Sequence, residues 1–211
     1  MDKAERLLVL EEKWNTYSHG VGAVLSVVGF FFLMQKDLSA PYATLSIFIY
    51  SLSLILLFTA STLYHAVRDP NLKAKLRILD HISIYYLIAG TYTPVCLLVL
   101  QESKGWLLLY LVWGIALFGT VVKIFFTGKF EKLSLLLYAV MGYLVVLDYG
   151  FLTNNLSTSG LFWMALGGTF YTLGIFFYAM KRIPFNHFIW HLFVLGGAAS
   201  HWLLVHDLFG T

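Results

Sequence analysis

Seven apolar runs of about twenty residues each leave this chain few ways to fold. They cover residues 17–35, 42–65, 78–100, 105–126, 133–152, 159–180 and 185–206, and the loops between them are short. A helix needs roughly 20 such residues to cross the hydrocarbon core of a bilayer. Within lipid the backbone groups must be satisfied internally, so a crossing segment is either a helix or a strand of a closed barrel. A barrel would show ten-residue stretches of alternating polarity, and the runs do not alternate. With 59% hydrophobic and 12% charged residues, the chain is also far from the roughly 25% charge of a soluble domain. The expectation is an all-α integral membrane bundle of seven transmembrane helices. It forms one domain over residues 1–211, beginning with a short amphipathic segment over residues 1–16.

Positive charges near span ends are retained on the cytoplasmic side. Lys3, Arg6 and Lys13 precede the first run, and Arg68, Lys73, Lys75 and Arg77 follow the second. Lys123, Lys129 and Lys132 follow the fourth, and Lys181 and Arg182 follow the sixth. These segments share one side, and only Lys36 and Lys104 fall on the other, a split of twelve to two. The N-terminus is therefore expected in the cytoplasm and the C-terminus outside, in a multi-pass protein of the plasma membrane.

The residues from Met1 to Glu5 do not read as a removable signal peptide, so the first run is expected to stay as an anchor. Cys96 is the only cysteine, which excludes an internal disulfide and a zinc–thiolate cluster. The net charge of +3 is explained by the cytoplasmic basic residues, and no nucleic-acid partner is expected. Basic loops of this kind meet lipid headgroups.

Against this apolar background a few polar residues stand out. Ser61 and His65 end the second run, Asp80 and His81 open the third, and His187 and His191 open the seventh. With the N-terminus inside, all three segments bring these residues to one level near the cytoplasmic face. Polar groups at membrane depth are costly and normally face a bundle interior, where they mark chemistry, ion paths or ligands. Residues four apart share a helix face, so His187 and His191 can chelate one ion, and Ser61 points the same way as His65.

Three imidazoles without a thiolate suit zinc and leave a fourth position for water. Zinc brings the pKa of bound water to about 7. Asp80 would take or orient the proton and Ser61 would donate to a developing oxyanion, an arrangement suited to a membrane lipid amide or ester. The competing reading for any single histidine is a hydrogen bond bridging two helices, and a bound metal can also be purely structural.

Other positions read more softly. Glu12, Asn15 and His19 share one face at the start of the first run and can either cap it or brace the metal site from behind. His81, about 100° around the helix from Asp80, should miss the metal and bond to another helix. Asp148 falls near the outer surface within reach of water, and His201, His206 and Asp207 read as interfacial groups at the same side. Pro94 removes a backbone hydrogen bond in the third run and should kink it.

Ser61-x-x-x-His65, Asp80 and His187-x-x-x-His191, with the segment from Glu11 to Gly20 and the segment from Ile88 to Pro94, resemble the bacterial hemolysin III family. That family is similar to the progestin and adipoQ receptors and more distantly to the alkaline ceramidases. The resemblance implies a seven-helix membrane protein with zinc on His65, His187 and His191, and with Ser61 and Asp80 beside the metal's water. In many members the last motif looks like His-Glu-x-x-His; Phe188 stands at the acidic position here, so that glutamate's role does not carry over.

Three function classes remain at this level. They are a zinc hydrolase acting on a membrane lipid, a non-catalytic receptor-like regulator with a structural zinc, and a cytolysin. A pore would carry polar residues along whole helix faces, whereas these cluster at one depth. The hydrolase is the leading expectation.

Overall fold

The computed structural model describes residues 3–126 and 128–210. The chain runs through α1 (Lys3–Leu33), α2 (Ala43–Ala66), α3 (Pro70–Leu98), α4 (Gly105–Phe126), α5 (Glu131–Tyr143), a 3-10 segment (Leu144–Asp148), α6 (Tyr149–Asn155), α7 (Thr158–Ala179) and α8 (Asn186–Asp207). With α5, the 3-10 segment and α6 counted as one crossing, seven segments are long and apolar enough to span a membrane. The described residues contain no strand. The multi-pass all-α bundle expected from the apolar runs is what forms.

Three boundaries differ from the apolar runs, each for a local reason. The amphipathic start is not a separate element but the first turns of α1, because no proline or glycine interrupts the chain before Gly20. α3 begins eight residues before its apolar run. Asp69 caps it by accepting the Leu72 N–H at 2.8 Å, and Pro70 occupies a first-turn position where a missing N–H costs nothing. The charged first turns that follow are helical yet invisible to a hydropathy reading.

The fifth crossing is broken. Gly142 weakens the helix there, and the Tyr92 hydroxyl intrudes from α3. It donates to the Gly142 carbonyl at 3.2 Å and accepts the Val145 N–H at 2.8 Å. Beyond the break Asp148 is buried rather than solvated, which corrects the sequence reading. Its carboxylate accepts the Ser103 hydroxyl and the Lys104 N–H, both at 2.9 Å, and so ties the crossing to the α3–α4 loop.

Two apolar clusters fill the bundle. One joins α1, α2, α3 and α8 around Tyr50, Phe58, Leu87 and Val194, and the other joins α3, α4, α5, α6 and α8 around Tyr85, Val112, Met141 and Leu204. α7 lies almost wholly along α8. Its buried positions are Gly160, Gly167 and Gly174, a seven-residue stripe that lets the two backbones approach. At Gly167 a methyl group would collide with the His201 ring. Large apolar side chains such as Phe31, Leu52, Tyr110 and Phe125 point outward, as a lipid-facing surface requires.

Candidate metal centre

α1 packs against both α2 and α8. Across this arrangement His65, in the last turn of α2, meets His187 and His191 from the first two turns of α8. One ring nitrogen from each lies within 4.8 Å of the other two. The ring centroids form a nearly even triangle with sides of 5.1 Å, 4.9 Å and 4.8 Å. A tetrahedral ion about 2.05 Å from each nitrogen would draw them to roughly 3.3 Å apart, which modest side-chain rotation achieves. Among the described residues this is the one cluster of three such donors able to hold a metal ion.

The groups around the triad fit a metal. Nδ1 of His65 faces Glu12 Oε2 at 3.3 Å, without hydrogen-bond alignment, while Nε2 is buried and has no hydrogen-bond partner. A carboxylate behind one ring nitrogen with the other left for an ion is the usual setting of a ligating histidine. Nδ1 of His191 is 3.5 Å from the Ser18 hydroxyl, and its ring stacks on His19 at 3.6 Å between centroids. Both nitrogens of His19 and the hydroxyl of Ser61 are likewise buried without a hydrogen-bond partner. Buried polar groups rarely stay so, and a polar ligand at this spot would satisfy them.

A cavity of about 160 Å³ opens beside the triad. His187 and His191 border it, as do Ser61 from α2, Asp80 from α3 and His19 from α1. Apolar residues, among them Leu57, Ile84, Leu87 and Val194, make the rest of its wall. Of the residues singled out in the sequence, the fold thus gathers His19, Ser61, Asp80, His187 and His191 around one space, with His65 and Glu12 immediately behind. Asn15 is buried on the same α1 face.

Other groups have different places. His81 falls outside the triad, as its direction from Asp80 suggested; it borders the same cavity and faces Glu131 on α5. His201 is not an interfacial group. It sits between α7 and α8 against Tyr171, with Nε2 3.4 Å from the Met164 carbonyl, and it lines both this cavity and a second one of about 440 Å³. Asp207 accepts the hydroxyls of Ser157 and Ser159 at the start of α7 and so holds Ser157, which caps α7 by accepting the Gly160 N–H at 2.8 Å.

One contributor had no sequence signal. The Glu11 carboxylate accepts the backbone N–H groups of His187 and Phe188 at 3.1 Å and 3.4 Å. It therefore caps α8 at a histidine of the candidate triad. An anion suits a helix N-terminus, but its partners are backbone groups that no residue pattern marks. Phe188, whose place in the last motif departs from the resemblance, packs against Trp14.

Residues 8–202 match the family described as Haemolysin-III related. The chain belongs to the haemolysin III family. It is 40% identical over 199 residues to Hemolysin-3 of Bacillus cereus, covering 93% of this chain and 91% of that protein. To the Hemolysin-3 homolog of Bacillus subtilis (strain 168) it is 42% identical over 199 residues, covering 93% of each. It is also similar to the human Monocyte to macrophage differentiation factor, at 30% identity over 203 residues, 92% of this chain and 83% of that one. The haemolysin III match takes in the histidine triad, Ser61, Asp80, Glu11 and Glu12, so the candidate metal centre lies wholly within the shared region.

Proposed function

We propose that this haemolysin III protein is a zinc-dependent hydrolase of a membrane lipid amide or ester. It sits in the plasma membrane with its N-terminus in the cytoplasm, its C-terminus outside and its metal site near the cytoplasmic face. The observation that carries the chemistry is a shared cavity: two histidines of the triad, His187 and His191, border one mostly apolar space with an acid, Asp80, and a hydroxyl, Ser61, while His65 closes the triad beside them. The orientation rests on the twelve-to-two division of basic residues.

His65, His187 and His191 hold the ion. Zinc bound there supplies Lewis acidity and makes water acidic enough to attack at neutral pH. Asp80 accepts the proton of the attacking water and later returns it to the leaving group. Ser61 donates its O–H to the carbonyl oxygen as negative charge develops on it. Glu12 orients His65 through Nδ1, and His19 buttresses His191 by stacking. The apolar wall takes hydrocarbon and excludes water from the reacting carbonyl.

The test is product release by purified protein from a ceramide-like amide and a phospholipid ester, beside the Asp80→Asn variant. Turnover by the wild type, lost in Asp80→Asn with metal retained, supports the proposal. Metal without turnover of either lipid would leave the ion as a clip between α2 and α8 across α1, and the protein as a receptor-like regulator with a structural zinc.

A further inference from the structure

A line of ionisable groups runs along the wall of the cavity towards the end of the bundle. Asp80, His81 and Glu131 all border the cavity, and Oδ2 of Asp80 lies 3.5 Å from Nδ1 of His81. The other ring nitrogen of His81, Nε2, lies 3.8 Å from Oε2 of Glu131, at the start of α5. The side chains of Asp80 and His81 are each only 13% exposed, whereas that of Glu131 is 36% exposed. The line therefore runs from interior to surface.

Its outer member is held in place. Lys123 Nζ donates to Glu131 Oε2 at 3.0 Å, and Arg77 donates to Oε1 at 3.3 Å. The His81 backbone is anchored too, by the Tyr138 hydroxyl donating to its carbonyl at 2.8 Å. Two carboxylates thus face opposite nitrogens of one imidazole, at distances that a small ring rotation or one bridging water closes.

We propose that Asp80, His81 and Glu131 form a proton exit from the metal cavity to solvent at the α4–α5 end. The proposal rests on the hydrolytic reading above. The first proton of the attacking water goes by way of Asp80 to the leaving group; Asp80 then takes the second, released as the acid product ionises. Its O–H bond breaks as an N–H bond forms at His81 Nδ1, and the N–H bond at Nε2 breaks as an O–H bond forms at Glu131 Oε2. Glu131 then gives the proton to bulk water. One proton moves and no electron changes hands; the ring ends as its other tautomer and resets by flipping or by the reverse transfer. A buried acid that cannot lose its proton would stop after one turnover whenever the products do not carry the proton away. Ester hydrolysis is such a case near neutrality, since the acid product ionises and the alcohol does not.

The experiment uses full-length detergent-purified protein and a fluorogenic phospholipid ester, with a ceramide-like amide as second probe. For His81→Gln we expect kcat to fall about tenfold or more, with KM and metal content unchanged. Millimolar imidazole should restore activity, beyond any effect it has on the wild type. Glu131→Asp keeps a charge for Lys123 and Arg77 while shortening the reach to His81. It should lower kcat several-fold and recover as buffer concentration rises, and it carries the test if His81→Gln does not fold. Unchanged kcat in a folded variant, or a loss that neither imidazole nor buffer restores, overturns the exit and leaves the hydrolase standing. A wild type that turns over neither probe overturns both.

Discussion

Glu12 on α1 and His65 on α2 meet across the helix interface, with Oε2 3.3 Å from Nδ1, and the same oxygen receives Lys73 Nζ at 2.6 Å. The carboxylate is thereby pinned by a cation from α3 while it faces the ring. A side chain so placed fixes which nitrogen of His65 is available to an ion. Glu12→Gln is expected to weaken metal binding about 10- to 100-fold, read by competition with a chelator of known affinity. Unaltered affinity would reduce Glu12 to the partner of Lys73.

Glu11, its neighbour, acts on the backbone instead. Glu11→Ala removes the acceptor for two N–H groups at the start of α8. The expected cost is about 0.5–2 kcal/mol, seen as a lower thermal midpoint in detergent with saturating metal. If the midpoint holds, those N–H groups find another acceptor and Glu11 is not the cap.

Much of this site was legible because helical periodicity is rigid. A four-residue spacing puts His187 and His191 on one face whatever surrounds them, and the same holds for Ser61 and His65. Their common depth followed from span ends alone. What was not legible depends on partners distant in sequence. Glu11 bonds to backbone groups, and Glu131 meets Lys123, Arg77 and His81 only once α3, α4 and α5 are packed. Asp148 looked accessible because the α3–α4 loop that covers it lies far away in the chain. The break in the fifth crossing needed the Tyr92 hydroxyl, a group that an apolar reading of α3 counts as bulk.

Ser61 has a narrower role. Its hydroxyl is buried beside the triad without a hydrogen-bond partner, so it is free to answer charge on a substrate oxygen. Ser61→Ala should lower kcat by about 10²- to 10³-fold while leaving the metal in place. A change in KM alone, with kcat intact, would make Ser61 a binding group and nothing more.

Membrane orientation can be read chemically. In a Cys96→Ser background, Lys75→Cys and Glu102→Cys place single thiols at exposed positions near opposite ends of α3. An impermeant maleimide should label Lys75→Cys only from the cytoplasmic side and Glu102→Cys only from outside. The opposite labelling would invert the bundle and move the metal site to the outer face.

Every role proposed for these side chains depends on the ion. The most direct measurement is elemental analysis of the detergent-purified wild type beside the triple variant His65→Ala, His187→Ala, His191→Ala, with folding of both checked by circular dichroism. The expected result is about one zinc per wild-type chain and none in the folded variant. Equal zinc in both, or none in the wild type after growth and purification with zinc present, would contradict a metal centre at these three histidines.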